Sequence, residues 1–476
     1  MIPNSSAMIH YDADSHQPIY MQVYQRFREA ITAGLIKPGD RVPSLRNLAA
    51  ELNLARGTIE TAYEMLIGEG FFISRGQAGT VVAPFLGEHA KKFPTQEVRV
   101  SNRNPSRNLS PAPAPLQMGL PALDAFPRKL WAKLGCRVLK SATPADMSYP
   151  DPLGLMSLRI ALAGYLQVSR GINCKPAQIV ITDGYRGSLD LICRAFLTQG
   201  QEVWMEDPGY PAAMQLMQAA GGKIVPVRVD EEGMVITDGI ADAPKAEIAV
   251  VTPSHQSPLG VTLSLERRLE LLEWAGNNQS WIVEDDYDGE YRYASRPLPA
   301  LKSLDVQDRV IYSGALSKVI TPSLRLAYLV IPESQIGHVE RVCQIFQNGC
   351  PWSTQATVAE FIAQGHFSRH IKRMRTLYKE RRAMFAQALN EAFGEEVSIE
   401  LQAGGMHLVV RINKNYDDQY LVQHIGQSGL SVQALSSWTL EHSCGNGLIM
   451  SFTNIHSLEY ARSLALKLKQ VINLNP

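Results

Sequence analysis

Five apolar runs, each followed at once by polar or charged residues, recur through residues 116–476 of this 476-residue chain. Patterns typical of amphipathic helices separate them. Strands that alternate with helices predict βα units whose strands form a mainly parallel sheet. The five runs are QIVIT, QEVWMED, EIAVVTP, SWIVEDD and DRVIYSG. We therefore predict a large α/β domain here, and an apolar content of 45% allows it a substantial buried core.

Residues 1–85 have a different pattern, in which three short helical stretches precede a strand-like tip. Apolar residues recur at every fourth position over 19–31, which indicates a helix with one buried face. A second helix is expected over 44–52, where Ser44 can cap it, and a third over 56–69. The segment FFISRGQAGTVVA indicates two short strands around a glycine-rich tip. This order predicts an α+β winged helix-turn-helix, whose third helix enters the DNA major groove.

The segment PSLRNLAAELNLARGTIETAYEMLIGEGFF, with the wing RGQAGTVV, resembles the GntR family of bacterial repressors over residues 17–83. Arginine side chains here can neutralise phosphates or reach guanine. The candidate DNA-contacting residues are Ser44, Arg46, Arg56, Gly57, Thr58, Arg75 and Gly79. Residues 1–85 hold seven basic and eight acidic residues, so non-specific attraction to DNA is expected to be weak. A winged helix that binds protein is the alternative.

Residues 86–115 are polar, dotted with proline, and end in SPAPAP. Proline fixes φ and disfavours helix, so this segment is predicted to be a semi-extended linker between the two domains. It carries five basic and two acidic residues. A dimer, helped by this basic linker, is expected to be needed for useful affinity toward DNA.

Three charged residues of the large domain lie where predicted strands end. Asp285 closes SWIVEDD, and Lys318 and Arg325 follow the strand in VIYSGALSKVITPSLRLAYLV. Ligands of open α/β sheets bind beyond the carboxyl ends of strands. A lysine there can form a Schiff base with a carbonyl cofactor, and pyridoxal 5'-phosphate (PLP) also needs an acid at its pyridine nitrogen and donors for its phosphate. Each residue alone would be an ordinary solvated side chain, but together they favour a PLP site.

Longer motifs extend over nearly the whole chain and resemble the fold-type I, aspartate aminotransferase-like PLP enzymes. With the N-terminal domain they make the chain similar to the MocR/GabR-type regulators, in which a GntR winged helix is fused to an aminotransferase-like domain. The motifs are YPDPLGLMSLRIALAGYL, ITDGYRGSLDLICRAF, MEDPGYP, TPSHQSPLG, EDDYDGEYRY, SGALSK followed by LR, and GHFSRHIKRMR.

The resemblance implies a role toward PLP for each matching residue. Lys318 would carry the cofactor, Asp285 would pair with its pyridine nitrogen, and Tyr287 would donate to its phenolic oxygen. Arg325 and Ser317 would bind the phosphate. The remaining implied contacts are backbone donors to phosphate from Gly184, Tyr185 and Arg186 at a helix N-terminus, stacking by Tyr210, and His255 with Gln256 near the ring edge.

Several positions depart from the family pattern. The phosphate turn has Ala315 where a hydroxyl is usual, GYRG replaces a G-x-Q-like turn, and Ala212 offers no second cationic anchor. Aminotransferases hold the substrate α-carboxylate with an arginine near the C-terminus, but none occurs between Arg411 and Arg462, and the matching strand reads GLIMSFTNI. A bidentate arginine is hard to replace. These departures leave cofactor binding intact and argue against an ordinary amino-acid substrate.

Three functions stay open from the sequence. The first is a PLP-dependent regulator that senses PLP itself or an amine and couples that site to operator DNA. The second is a working aminotransferase with a DNA-binding appendage, and the third is a cofactor-free scaffold. A homodimer is expected, because the resembling family places its sites at a subunit interface. Unpaired cysteines and no signal-peptide or membrane-spanning pattern favour a cytoplasmic protein without a metal site.

Overall fold

The computed structural model describes residues 11–12, 15, 17–84, 113–293, 299–346, 349–414 and 416–474. The chain divides into two compact units, residues 1–109 and 110–476. The predicted linker over 86–115 lies outside the described residues apart from its last three positions.

The first unit is a winged helix, as predicted. Its two strands pair antiparallel from Phe72 opposite Val82. The core forms where the apolar faces of the helices meet, and the rings of Phe27, Tyr63 and Phe72 contact edge to face at 5.1 to 5.6 Å between centroids. The elements are α1 Ile19–Thr32, α2 Leu45–Leu52, α3 Arg56–Gly68, β1 Phe72–Ser74 and β2 Thr80–Val82.

The second unit is built on a mixed, mainly parallel sheet of eight strands, which confirms the predicted α/β class. Their ranges are β3 Ile179–Thr182, β4 Glu202–Asp207, β5 Lys223–Asp230, β6 Gly233–Met234, β7 Ile248–Val251, β8 Trp281–Asp286, β9 Val310–Ala315 and β10 Ala327–Val330. The spatial order is β3-β10-β9-β8-β7-β4-β5-β6. The five strands from β9 to β5 are parallel, whereas β10 and β6 run antiparallel to their neighbours.

Helices cover both faces of this sheet. Successive strand residues point to opposite faces, and Ile282 and Val283 accordingly belong to two different buried apolar clusters. The helices of this unit are α4 Arg128–Lys140, α5 Met156–Arg170, α6 Tyr185–Phe196, α7 Pro211–Ala219, α8 Ile236–Asp242, α9 Leu265–Asn278, α10 Leu316–Val319, α11 Ile336–Phe346, α12 Trp352–Ala363, α13 His366–Phe393, α14 Asp418–Gln427 and α15 Leu458–Leu474.

A smaller antiparallel sheet follows α13 and packs, through a separate apolar cluster, against α13 and α15. Its strands lie in the order β11-β12-β14-β13. They are β11 Val397–Glu400, β12 His407–Ile412, β13 Gln433–Ala434 and β14 Leu448–Ser451. Within the described ranges, no helix has both the length and the apolar content needed to cross a membrane.

Candidate cofactor site and DNA-binding surface

The predicted cofactor residues converge at the carboxyl edge of the large sheet. Asp285 lies at the end of β8, paired with Ser313 of the neighbouring parallel strand β9. The chain leaves β9 directly into the short helix α10, which carries Ser317 and Lys318. Because the two strands are parallel and adjacent, the acid and the lysine reach the same edge.

The Lys318 amine is held in a largely buried position. Its Nζ donates a hydrogen bond to the carbonyl of Gly119, at 3.0 Å. Burial lowers the pKa of Lys318, and the charges of Asp285 and Asp288 partly oppose that shift. A lowered pKa increases the neutral fraction of the amine, which is the form that attacks a carbonyl carbon.

Asp285 is buried, and its Oδ1 has no hydrogen-bond partner among the residues that the structure describes. Burial raises the pKa of Asp285 to about 8, although a hydrogen bond from Tyr185 acts in the opposite direction. The hydroxyl of Ser313, its partner in the strand register, is also buried without a partner in the described part of the chain. Such unpaired buried polar atoms are costly unless a ligand satisfies them.

A cradle suited to a phosphate lies at the start of α6. Gly184 caps this helix with a φ of +103°, a left-handed value that favours glycine. A β-carbon built on Gly184 would lie 3.4 Å from Cζ of Arg325, so the guanidinium faces the helix N-terminus. Arg325 is exposed, as is Arg186 in the first turn. Helix N-termini bind anions, and the arginine adds a bidentate donor. With the unpaired oxygen of Asp285, these donors fit the phosphate and pyridine ends of PLP.

Tyr287 lies beside a buried polar cluster. Nδ1 of His255 is 2.9 Å from the hydroxyl of Tyr287 and 3.2 Å from Oδ2 of Asp288. Burial raises the pKa of Tyr287 well above its ordinary value, so its phenol stays protonated and can donate. Gln256 is also buried, but its amide donates to Glu206 and to the carbonyl of Pro208. His255 therefore lies with Tyr287, whereas Gln256 is engaged elsewhere.

Aromatic side chains form one wall of the site. The Tyr210 ring, 37% exposed, lies 6.2 Å from the Tyr185 ring and 5.8 Å from the Trp438 ring, measured between centroids. The carboxylate of Asp207 accepts hydrogen bonds from three successive backbone N–H groups, at residues 440–442, over 2.7 to 2.8 Å. Asp207 thus holds the segment that carries Trp438 against the end of β4.

Several residues of this region were not among the predicted site residues. Asp207 and Asp288 lie inside the motifs MEDPGYP and EDDYDGEY, so their positions could have been proposed. Arg170, which forms a fully buried ion pair with Asp286 beside Asp285, had no such signal. Gly119 meets Lys318 across 199 positions of the chain, a contact that no local pattern can indicate.

The strand that reads GLIMSFTNI, in which the family resemblance leads one to expect an arginine, carries a buried apolar side chain. Ile449 of β14 has no exposed surface and packs in one apolar cluster with Leu259, Val409 and Trp438. A carboxylate at this point would therefore meet hydrocarbon in place of a guanidinium. Ala315 ends β9 just before α10 and is likewise buried.

The predicted DNA-contacting residues lie mainly on exposed parts of the winged helix. Arg46 of α2 and Arg56 and Gly57 at the start of α3 are exposed, and Thr58 is half-buried. The hydroxyl of Ser44 accepts a hydrogen bond from the backbone of Asn47 at 3.2 Å, so it caps α2. α3 presents its N-terminal residues as a recognition helix does.

The wing is a tight hairpin tip between β1 and β2. The backbone N–H of Arg75 donates to the carbonyl of Gly79 at 2.8 Å, and Gly79 has a φ of +89°. The Arg41 side chain lies against Gly79, since an added β-carbon there would be 2.9 Å from its Nε. Arg41 is an exposed cation beside the wing that the sequence analysis did not select.

Comparison with known proteins matches both units. Residues 19–82 match the gntR family of bacterial regulatory proteins, and residues 122–446 match aminotransferase class I and II, a family of PLP-dependent enzymes. The crystal structure of Pyrococcus horikoshii kynurenine aminotransferase is 27% identical and superposes with a TM-score of 0.68, covering 76% of this chain and 91% of that one.

Two curated relatives span nearly the whole chain. The probable rhizopine catabolism regulatory protein MocR of Rhizobium meliloti is 33% identical, over 94% of this chain and 92% of its own length. The pyridoxine biosynthesis transcriptional regulator PdxR of Corynebacterium glutamicum is 31% identical, over 96% and 97%. The chain therefore belongs to the MocR-type transcriptional regulators, which join a gntR-family DNA-binding domain to an aminotransferase class I and II domain.

Proposed function

We propose that this transcription regulator binds PLP at Lys318 and operator DNA through its winged helix, and that occupancy of the PLP site changes its affinity for the operator. The main support for the proposal is the half-buried Lys318 amine at the same sheet edge as Asp285, whose Oδ1 lacks a hydrogen-bond partner among the described residues. PLP supplies an aldehyde that reacts with amines and a ring that absorbs visible light.

Each end of the cofactor has a matching group in the chain. Asp285 would hold the proton at the pyridine nitrogen, and Tyr287, kept protonated by burial, would donate to the phenolic oxygen. Arg325, Ser317 and the N-terminus of α6 would bind the phosphate. Tyr210 would lie against the ring.

The proposed effector is PLP itself or an amine that has no α-carboxylate. The strand in which the family resemblance leads one to expect a carboxylate-binding arginine carries instead the buried apolar side chain of Ile449. Bringing a carboxylate there would remove it from water without a partner, which costs several kcal/mol. This argues against the alternative, a working aminotransferase for ordinary amino acids, because such an enzyme has to hold that carboxylate.

We also propose a homodimer, with residues 86–115 as the linker between a DNA-binding domain over 1–85 and a PLP domain over 116–476. The large unit exposes the apolar side chains of Leu139 and Met147 around one groove that the half-buried Trp352 also lines, and Tyr149 beside them is 99% exposed. Monomeric surfaces rarely leave such patches uncovered. A two-fold dimer also suits an operator of two half-sites.

The first experiment is a visible absorption titration with PLP, followed by a panel of amines and amino acids. We expect a band that is absent in Lys318→Ala and that common L-amino acids do not change. Operator affinity measured with and without PLP then tests the coupling. A band that amino acids convert and a keto acid restores would favour the aminotransferase. A protein that stays colourless would contradict the PLP site.

A further inference from the structure

Two helices of the large unit carry an unusual concentration of positive charge. α4 has five basic residues and no acidic one, and residues 366–379, the first half of α13, also have five basic residues and no acidic one. Most of these side chains are exposed. The exposed cations of the two helices are Arg128, Lys129, Lys133, Arg137, Lys140, Arg369, Lys372, Arg373 and Lys379.

The two helices contribute to one continuous surface. α4 packs against α12, and α12 packs against α13. The pKa of His366, at the start of α13, is lowered by desolvation and by the nearby charges of Arg369, Arg137 and Lys133. Cations of both helices therefore lie close enough to the His366 imidazole to influence its pKa. An open groove along α13 continues this surface, and it is lined by three cations and one carboxylate, Arg369, Lys372, Arg373 and Glu380, together with Thr376 and Leu377.

Few carboxylates compensate this charge. Arg137 pairs with Glu360 at 2.6 Å. Over the ranges that the structure describes, no ion pair within 4.0 Å involves Lys129, Lys133, Lys372 or Arg373. Like charges gathered without partners repel one another and favour binding of an anion.

The basic surface of α4 and α13 is local, because residues 116–476 as a whole hold 34 basic and 36 acidic residues in a chain that has no net charge. Residues 1–85, which include the winged helix, hold one more acidic than basic residue. The affinity of proteins for DNA comes largely from basic side chains that displace counterions from phosphates. The winged helix alone is therefore poorly supplied with the charge that its function requires.

We propose that the basic surface of α4 and α13 is a second DNA-contacting surface, which binds the phosphate backbone without reading sequence. The inference rests on the DNA-binding function, and it assigns part of that function to the large unit. Lys129, Lys133 and Arg137 are spaced by four residues, so they follow one face of α4 at intervals of about 6 Å. Such a row suits a repeating polyanion.

The test compares the salt dependence of DNA binding in the full-length protein and in a fourfold variant, Lys129→Gln, Lys133→Gln, Lys372→Gln and Arg373→Gln. The probes are a fragment from immediately upstream of the gene and a random-sequence duplex of the same length. Each phosphate contact contributes about 0.9 to the slope of log affinity against log salt concentration. We expect the slope to become less steep by up to about 3.6 per chain, on both probes.

A matched variant controls for net charge. Lys223→Gln, Lys245→Gln, Arg341→Gln and Lys467→Gln also removes four exposed cations, but from outside the two helices. It should keep the parent slope, and all three proteins should show the same thermal midpoint and PLP absorption. Equal slopes in the fourfold variant and the parent would overturn the proposal. An acidic protein would then be the alternative partner for this surface. A parent that binds neither duplex would overturn the DNA-binding function itself.

Discussion

Asp285→Asn is expected to stabilise the PLP-free protein at alkaline pH while weakening its affinity for PLP. Burial raises the pKa of Asp285 to about 8 from an ordinary value of 3.8. The folded protein therefore holds this proton more tightly than the unfolded chain does. Its free energy of unfolding falls as the pH rises from about 4 to about 8, because the unfolded carboxyl ionises first. Asparagine does not titrate, so the variant does not lose this part of its free energy of unfolding.

The size of the effect follows from that shift. Integrated from pH 5 to pH 8, it amounts to about 4 kcal/mol of unfolding free energy that the parent loses and the variant keeps. The cost of burying the asparagine amide is the same at both pH values, so it cancels. For a domain as large as 116–476, the difference corresponds to about 5 °C in the thermal midpoint.

The assay is a thermal melt of the PLP-free parent and variant at pH 5 and pH 8, combined with a PLP titration by absorption. The thermal midpoint of the variant, relative to that of the parent, should be higher at pH 8 than at pH 5. Its PLP affinity should fall by about 10- to 100-fold, because a neutral amide replaces a charge-assisted hydrogen bond.

Asp207→Asn provides the control. This buried carboxylate accepts three backbone hydrogen bonds, so an amide there would direct N–H groups at N–H groups. It should destabilise the protein, because the three N–H groups would lose their charged acceptor. If Asp285→Asn destabilised the protein as Asp207→Asn does, with no gain in thermal midpoint over the parent at pH 8, Asp285 would be a structural acid whose pKa is not raised in the folded protein.

Other perturbations separate the remaining parts of the proposal. Arg325→Gln should weaken PLP binding by about 10-fold or more and leave the affinity for pyridoxal, which has no phosphate, unchanged in the same titration. Equal losses for both ligands would contradict a phosphate role. Arg56→Gln should lower operator affinity by about 10-fold in a gel-shift assay without altering PLP absorption. Burial raises the pKa of Glu290 to about 7, so Glu290→Gln should gain thermal stability over the parent from pH 5 to pH 8. A parallel pH profile of the two proteins would exclude this.

The elements that local patterns encode were predicted well. The apolar residues that recur from Ile19 to Ile31, and the capping residue Ser44, predicted two helices. Their ends in the structure agree with the prediction to within a residue or two. Strand ends were predictable for the same reason, because an apolar run that stops at acidic residues marks both a buried strand and its exit. The convergence of Asp285 and Lys318 then follows from the geometry of parallel strands.

Contacts between distant segments could not be predicted in this way. Arg170 pairs with Asp286 across 116 positions, and a helix ending in arginine is usually read as solvated. Tyr185 was assigned only a backbone role, yet its side chain interacts with Asp285. Side-chain direction at the start of a helix depends on the packing of its neighbours, which a linear pattern does not contain.

Restoring an arginine in β14 would not by itself create a site for an α-carboxylate. An arginine at position 449 would place its charge inside the cluster formed with Leu259, Val409 and Trp438, where burial of an unpaired cation costs several kcal/mol. The segment that carries Trp438 is also fixed, because Asp207 accepts hydrogen bonds from three successive N–H groups just after Trp438. We therefore expect that Ile449→Arg alone would not provide an anchor for an α-carboxylate, and that it would leave the proposed contacts to the pyridine ring and the phosphate in place. A site of this kind would bind the cofactor without an arginine anchor for amino-acid substrates, which is the selectivity that the proposed sensor of PLP or of a simple amine requires.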